Sequence, residues 1–343
     1  MSKTYGIDLG TRVLKIYKKN EGVIYDAKNI IAVADGNRII AVGDEAFEMF
    51  GKAPSNIEVT YPVKYGVIAD IKHMQAMLNI VFEELSASHG KMSGSDFIVT
   101  APTDITEVEK KAFIDLVAST NIKPRKVKIV ERPIADALGV GLNVTDASGV
   151  MVVDIGADTT EISVLSLGGI VLSRLIPIGG NKFDDDIISA VKKNYNLIIG
   201  NKTAEVIKIN LATAVLPEDD MIKAIKVYGR DVVSGLPVEK EIDSAFVYTA
   251  IREHLQNIVD SVRMILEHTP PEIASDIIDS GIYVTGGSAS IHDLSKLLST
   301  ETELSVNICK DPANSVALGI GRIIESPELD SLSYVLKQMN YKD

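Results

Sequence analysis

The stretch Met151–Val164 constrains this chain more than any other. An apolar run, Met151-Val152-Val153, meets Asp154-Ile155-Gly156. A hydroxyl pair follows, and then the alternating run Ile162-Ser163-Val164-Leu165. That order predicts a β-hairpin. Its turn sets a carboxylate and backbone N–H groups where the chain reverses. Such a turn can hold a metal–phosphate group, because backbone N–H groups bind anions without a basic side chain. On its own the stretch reads equally well as a plain hairpin whose Asp and Gly only make the turn.

The pattern occurs twice. Tyr5-Gly6-Ile7-Asp8-Leu9-Gly10-Thr11-Arg12-Val13-Leu14-Lys15-Ile16-Tyr17 repeats apolar strand, Asp-x-Gly turn and second strand. Duplication of a phosphate-gripping hairpin implies two related domains closing on one nucleotide. A length of 343 residues fits two α/β lobes. The net charge of −12 argues against nucleic acid as a partner. The single Cys309 leaves no internal disulfide, fits a reducing cytoplasm and is expected as a small buried hydrophobe. Met1-Ser2-Lys3-Thr4 reads as no secretory signal, and no segment is apolar enough to span a bilayer.

Along the chain, residues 4–35 predict three short strands, at Tyr5–Leu9, Val13–Tyr17 and around Ile30–Val33. Thr11 offers a hydroxyl to a phosphate. Lys15 either reaches the same phosphates or is a solvated strand lysine, and Arg12 either contacts phosphate or projects into water. Residues 36–70 read as a small insertion, with a strand at Ile39–Val42 and a helix at Asp44–Phe50. Asp70 caps a helix over Ile71–Leu85 whose Met74, Met77, Leu78, Val81 and Phe82 form a core stripe. Asp96–Ala101 is a buried strand, and Thr106–Glu109 a capping box that opens a helix to Ser119. Lys126–Val130 is a strand, and Glu131-Arg132-Pro133 leads into a helix over Ile134–Leu142. That βα junction lies at a strand's carboxyl end, where α/β folds place ligands.

After the central hairpin come a strand at Ile170–Ile176, Gly179-Gly180 and a helix at Asp184–Tyr195. On the helix Lys202–Leu211, Glu205 and Lys208 make either a surface ion pair or a pair of ribose ligands. Residues 224–242 alternate as a hairpin, and Ala245–His268 is amphipathic. Thr285-Gly286-Gly287-Ser288 is a strand running into a glycine turn, which lets backbone approach a ligand closely.

The sequence order Asp-Leu-Gly-Thr, Asp-Ile-Gly-x-x-Thr-Thr-Glu and Thr-Gly-Gly-x-Ala resembles the actin, sugar-kinase and heat-shock-chaperone ATPase superfamily. Within it the chain is similar to the bacterial actin MreB family over nearly its full length. Ala41–Ala46, Gly66–Asp70, Ile105–Glu109, Ser166–Val171, Thr269–Glu272 and Asp276–Ile278 are MreB-like in sequence and position.

The resemblance implies an actin-like α/β fold of two duplicated domains, in four subdomains around a cleft for ATP and Mg²⁺. They would be IA (residues 1–32, 71–145 and 316–343), IB (33–70), IIA (146–182 and 244–315) and IIB (183–243). Asp8 and Asp154 would position Mg²⁺ through water. Gly10, Thr11, Arg12, Lys15, Gly156, Ala157, Asp158, Thr159, Gly179 and Gly180 would face the phosphates. Glu205 and Lys208 would hold the ribose, and Gly286, Gly287 and Ser288 the adenosine. The implied function is nucleotide-controlled polymerisation, with the chain itself or paralogues as partners. The filaments would lie on the inner membrane, where they organise the cell-wall synthesis machinery.

Departures from the family pattern qualify this. Relatives usually read Glu-Glu-Pro at Glu131-Arg132-Pro133, and the second Glu orients the attacking water. Arg132 cannot accept a proton from water, and losing such a group costs about 10²–10⁴ in rate. Thr159, a partner of the missing Glu, remains. Gly156-Ala157-Asp158 replaces Gly-Gly-Gly, and Asp158 would repel phosphates unless Mg²⁺ or Arg132 offsets its charge. The expectation is an ATP-binding paralogue with slow or absent hydrolysis.

For membrane attachment, the loop His89–Ser95 offers only Met92 as an inserter, so direct binding to the inner membrane surface would be weak. Leu329, Leu332, Val335, Leu336 and Met339 have a helical spacing that suits packing on the body, a partner or a membrane. Two other classes are a division- or pilus-type membrane scaffold and a small-molecule kinase of the same superfamily.

Overall fold

A computed structural model describes residues 3–336. Its frame is one sheet design used twice. The first sheet runs Lys126–Glu131, Asp96–Ala101, Thr4–Leu9, Val13–Lys18, Gly22–Lys28. The second runs Val306–Ile308, Ile282–Thr285, Val150–Ile155, Thr160–Ser166, Gly169–Ile176. In each, three consecutive strands form a meander and two later strands add on beside the first. The added strands pair in parallel in both sheets. Each Asp-x-Gly turn therefore heads the same part of a repeated unit, which is the duplication that the sequence predicts.

By contacts, the chain groups into two compact units. One is Met1–Ser148, Leu165–Leu175 and Ala313–Asp343; the other is Gly149–Val164 and Ile176–Pro312. In the first, the helix Ile71–His89 starts at Asp70, whose carboxylate accepts the His73 N–H at 3.0 Å. It buries Met74, Met77, Leu78, Val81, Phe82 and Leu85, the predicted stripe, against a core that includes Tyr5, Phe97 and Phe113. The capping box at Thr106 and Glu109 is made in both directions.

The strand prediction for residues 4–35 needs correction. A strand at Gly22–Lys28 completes the first meander, and Ile31–Ala34 belongs instead to a separate three-stranded sheet with Arg38–Val42 and Ile57–Thr60. Gly22–Lys28 lacks a fully buried face, so it carries no alternation to read. Met92 also departs from expectation. It is fully buried in the first core, among the residues around Phe97, and is not a membrane inserter. Cys309 is half-buried rather than buried. At the tail, Pro327–Leu332 forms a short 3₁₀ helix, Leu332 is buried, and Tyr334 bridges to Ile129. Leu332, Tyr334 and Leu336 pack on the body, whereas Val335 is half exposed; Met339 lies outside the described residues.

The helix Ser315–Glu325 lies tight on the first five-stranded sheet, with Ile320 against Gly6, and on the helix Arg132–Gly139. A Cβ on Gly319 would land inside the Ala135 carbonyl, and one on Gly139 inside that of Ser315. The crossing is backbone against backbone, so only glycine fits at either position.

In the second unit, the helices Gly180–Tyr195, Asn201–Leu211 and Ser244–His268 accompany a three-stranded sheet of Leu197–Ile198, Ala224–Asp231 and Pro237–Asp243. Ser244–His268 buries Val247, Ile251, Leu255, Ile258, Val259, Val262 and Ile265, which recur at helical spacing. Among the described residues no helix is long and apolar enough to cross a membrane.

Candidate functional site

In the first unit, Asp8 is the penultimate residue of the strand Thr4–Leu9 and stands opposite Lys15 in the antiparallel ladder. The turn between them is held from behind by the fully buried Asn29. Its side-chain amide donates to the Gly10 carbonyl at 2.8 Å, and its backbone N–H donates to that of Arg12 at 3.0 Å. Gly10 has no room for a side chain, since a Cβ would sit 2.7 Å from the Val13 oxygen.

Asp8 is buried and already partnered. The Thr100 hydroxyl donates to its Oδ1 at 3.1 Å, and the Arg132 guanidinium lies 3.8 Å from the same oxygen. Arg132 opens the helix Arg132–Gly139, two residues before the predicted start. Lys15 is buried too, and its ammonium donates to the Ala313 carbonyl just ahead of the helix Ser315–Glu325. The reading of Lys15 as a solvated lysine is thereby excluded.

Arg12 goes elsewhere. Its guanidinium stacks on the rings of Phe47 and Tyr61, with centroid distances of 5.1 and 5.4 Å. It neither projects into water nor extends along the turn, because aromatic faces attract a cation that is only weakly hydrated. Glu131 accepts the Tyr334 hydroxyl and lies 3.6 Å from Lys110. Burial, and then the Glu131 carboxylate, push the Tyr334 phenol above its ordinary range.

The second unit gathers more of the predicted residues. Asp154 pairs with Thr285 in the parallel ladder, and Gly286 follows with φ +82°. A Cβ on Gly286 would collide with Asp154 Oδ1 and the Ile155 carbonyl, so conformation and space both require glycine. The hairpin turn closes through Gly156 N–H to the Thr159 carbonyl at 2.8 Å.

The helix Gly180–Tyr195 abuts this turn. Gly180 and Asn181 give their N–H groups to the Gly156 and Ala157 carbonyls at 3.0 and 2.7 Å. Gly179 allows the contact, since a Cβ there would lie 2.7 Å from the Ala157 carbonyl. Ser288 Oγ donates to the same Gly156 oxygen at 3.0 Å. Lys208 Nζ donates to the Gly180 carbonyl at 2.7 Å and pairs with the buried Asp184 at 2.8 Å. Lys208 is therefore not a surface lysine. It pins the helix Asn201–Leu211, which also carries the half-buried Glu205, to the start of its neighbour. Gly156, Gly180, Lys208 and Ser288 converge on one spot, with Gly287 open beside them.

Asp158 corrects the charge argument made from sequence. Its carboxylate accepts the Asn181 side-chain amide at 2.7 Å, in the first turn of the helix Gly180–Tyr195. A helix N-terminus favours negative charge, so this carboxylate is offset within its own unit without Mg²⁺ or Arg132. Asn29, Thr100, Asn181 and Asp184 are the site residues that sequence reasoning missed. The one available signal was Asn181 directly after Gly179-Gly180.

Gly286→Ala is expected to destabilise the second unit by about 2 kcal/mol or more, from strain at positive φ together with the clash. Thermal unfolding reads the loss, and an unchanged transition would contradict this account of the turn.

The doubled meander-plus-parallel sheet, with a turn carboxylate heading each copy, is the actin-like fold. Comparison with known proteins gives the family. A family model described as MreB/Mbl protein matches residues 2–331. The cell shape-determining protein Mbl of Bacillus subtilis (strain 168) is 39% identical over 326 residues, which cover 95% of this chain and 96% of that one. MreB5 of Spiroplasma citri bound to ADP superposes with a TM-score of 0.90 at 33% identity, covering 97% of this chain and 98% of the other. Its AMPPNP-bound form gives 0.89 at 32%, covering 96% and 98%. The chain belongs to the MreB/Mbl family.

Proposed function

We propose that this chain is a bacterial actin homologue that binds ATP and polymerises into filaments with itself or with paralogues, while hydrolysing ATP slowly or not at all. The filaments would lie peripherally at the inner face of the membrane and organise cell-wall synthesis and cell shape. The observation that carries the nucleotide part is the convergence of Gly156, Gly180, Lys208 and Ser288 beside the Asp154 turn. Nucleotide bound to MreB5 and the cell-shape role named for Mbl support the same reading. Within it, Gly10, Thr11 and Lys15 of the first hairpin and Gly156, Ala157 and Thr159 of the second serve the phosphates. Glu205 and Lys208 serve the ribose, and Gly286, Gly287 and Ser288 the adenosine. The four-subdomain division is retained as part of this proposal.

Arg132 sets the hydrolysis part. By the sequence resemblance it takes the position of the family's water-orienting glutamate, and it is ion-paired to Asp8. A guanidinium offers donors only, so it can hold charge at that place but cannot take a proton from water. Of the two carboxylates expected to position Mg²⁺, Asp154 remains suited to it. Asp8 is less suited, because the Arg132 guanidinium already stands 3.8 Å from its carboxylate. Membrane placement cannot rely on Met92, which is buried.

Sedimentation of purified protein with ATP, with ADP and without nucleotide tests the proposal. Polymer that requires nucleotide is expected. Absence of both ATP binding and polymer would overturn it.

A further inference from the structure

The Arg132 guanidinium and the Asp8 carboxylate have side chains only 10% and 11% exposed and stand 3.8 Å apart. The Thr100 hydroxyl donates to the same carboxylate oxygen. Lys15 faces Asp8 across the ladder, with its ammonium on the Ala313 carbonyl. Arg132 is the first residue of its helix, and that helix is fixed by the backbone contacts at Gly139 and Gly319. Its position therefore follows from the fold.

An arginine stays protonated at every pH at which a protein folds, so this charge cannot titrate away to admit a metal. Mg²⁺ is held by one or two carboxylates plus substrate phosphates and keeps several waters. Taking one carboxylate out of that set removes a large share of the protein's hold. A divalent cation brought to Asp8 would also meet the guanidinium at short range in a poorly hydrated place, where like charges repel strongly. A guanidinium has five donors in a planar fork, enough to engage a carboxylate and a phosphate together.

We infer that Arg132 takes the place of the divalent cation beside Asp8, so that this chain binds nucleotide largely without Mg²⁺. The inference rests on the ATP reading above and deepens it, because it names the charge that replaces the metal.

Calorimetric titration of the full chain with ATP, in Mg²⁺ or in EDTA, tests it. The wild type is expected to change its Kd by less than about threefold between the two conditions. Arg132→Gln is expected to bind at least about tenfold more tightly with Mg²⁺ than with EDTA. Arg132→Lys, which keeps a cation, should follow the wild type. Thermal melting with Mg²⁺ alone adds a readout independent of nucleotide. The metal should raise the transition of Arg132→Gln and leave that of the wild type in place, and the same melts verify that the variant folds.

An equal and strong Mg²⁺ requirement in wild type and Arg132→Gln would overturn the inference and leave the ATP reading standing. No ATP binding by the wild type in either condition would overturn the ATP reading itself. The melts with Mg²⁺ alone would then still decide whether Arg132 keeps metal from Asp8.

Discussion

Arg132→Glu is expected to raise ATP turnover by about 10²- to 10⁴-fold, the contribution usual for a positioned general base. The substitution places a proton-accepting carboxylate at the start of the helix Arg132–Gly139. It also removes the cation beside Asp8 and sets a second negative charge there. Two carboxylates at short range repel unless a cation lies between them, so the gain should appear with Mg²⁺ and vanish in EDTA. Arg132→Gln separates the two effects: it frees Asp8 but supplies no proton acceptor, and its turnover should stay near that of the wild type. Phosphate release is the readout. Equal rates for Arg132→Glu and wild type in Mg²⁺ would mean that the missing glutamate is not what limits hydrolysis.

Gly319→Ala is expected to cost about 3 kcal/mol or more, the upper end of what overpacking usually costs, because the clash is with backbone that has no rotamer to escape into. A methyl group there would occupy the space of the Ala135 carbonyl, so the helices Ser315–Glu325 and Arg132–Gly139 must part. Parting them disturbs more than stability. Arg132 begins one of those helices, and Lys15 bonds Ala313 just before the other. Both cations around Asp8 should shift, and ATP affinity should fall together with the melting temperature, by roughly 10 °C for a unit of this size. Leu318→Ala, at a half-exposed neighbour on the same helix, is the control and should stay within about 1 kcal/mol. A Gly319→Ala variant as stable as wild type would contradict the close crossing.

The features legible in the sequence were those set by short-range chemistry. The two Asp-x-Gly hairpins, the Asp70 cap, the Thr106–Glu109 box and the stripe on the helix Ile71–His89 depend on neighbours within one or two turns. What escaped depends on distant partners. Arg12 rests on Phe47 and Tyr61, which no local pattern joins to it. Lys208 read as a partner of Glu205 because the two share a helix face, yet it pairs with Asp184 on another helix. Met92 sits in a loop of small and polar residues and looked exposed, but the fold closes the first core over it. Asp158 looked repulsive because its compensating amide, on Asn181, lies beyond two strands. At Arg132 the resemblance implied a lost carboxylate, and only the fold revealed the ion pair with Asp8. The local framework of the two turns was thus readable from sequence, while the partners that balance the charges around them were not.

The central claim is that this chain keeps the means to hold ATP while lacking the group that drives its hydrolysis. Phosphate release measured in a single turnover, with polymer sedimented from the same reaction, tests it most directly. Polymer formed with ATP while bound nucleotide stays almost entirely unhydrolysed is the predicted result. Polymer accompanied by release of one phosphate per bound ATP, at the rate of a family member that retains the glutamate, would contradict it.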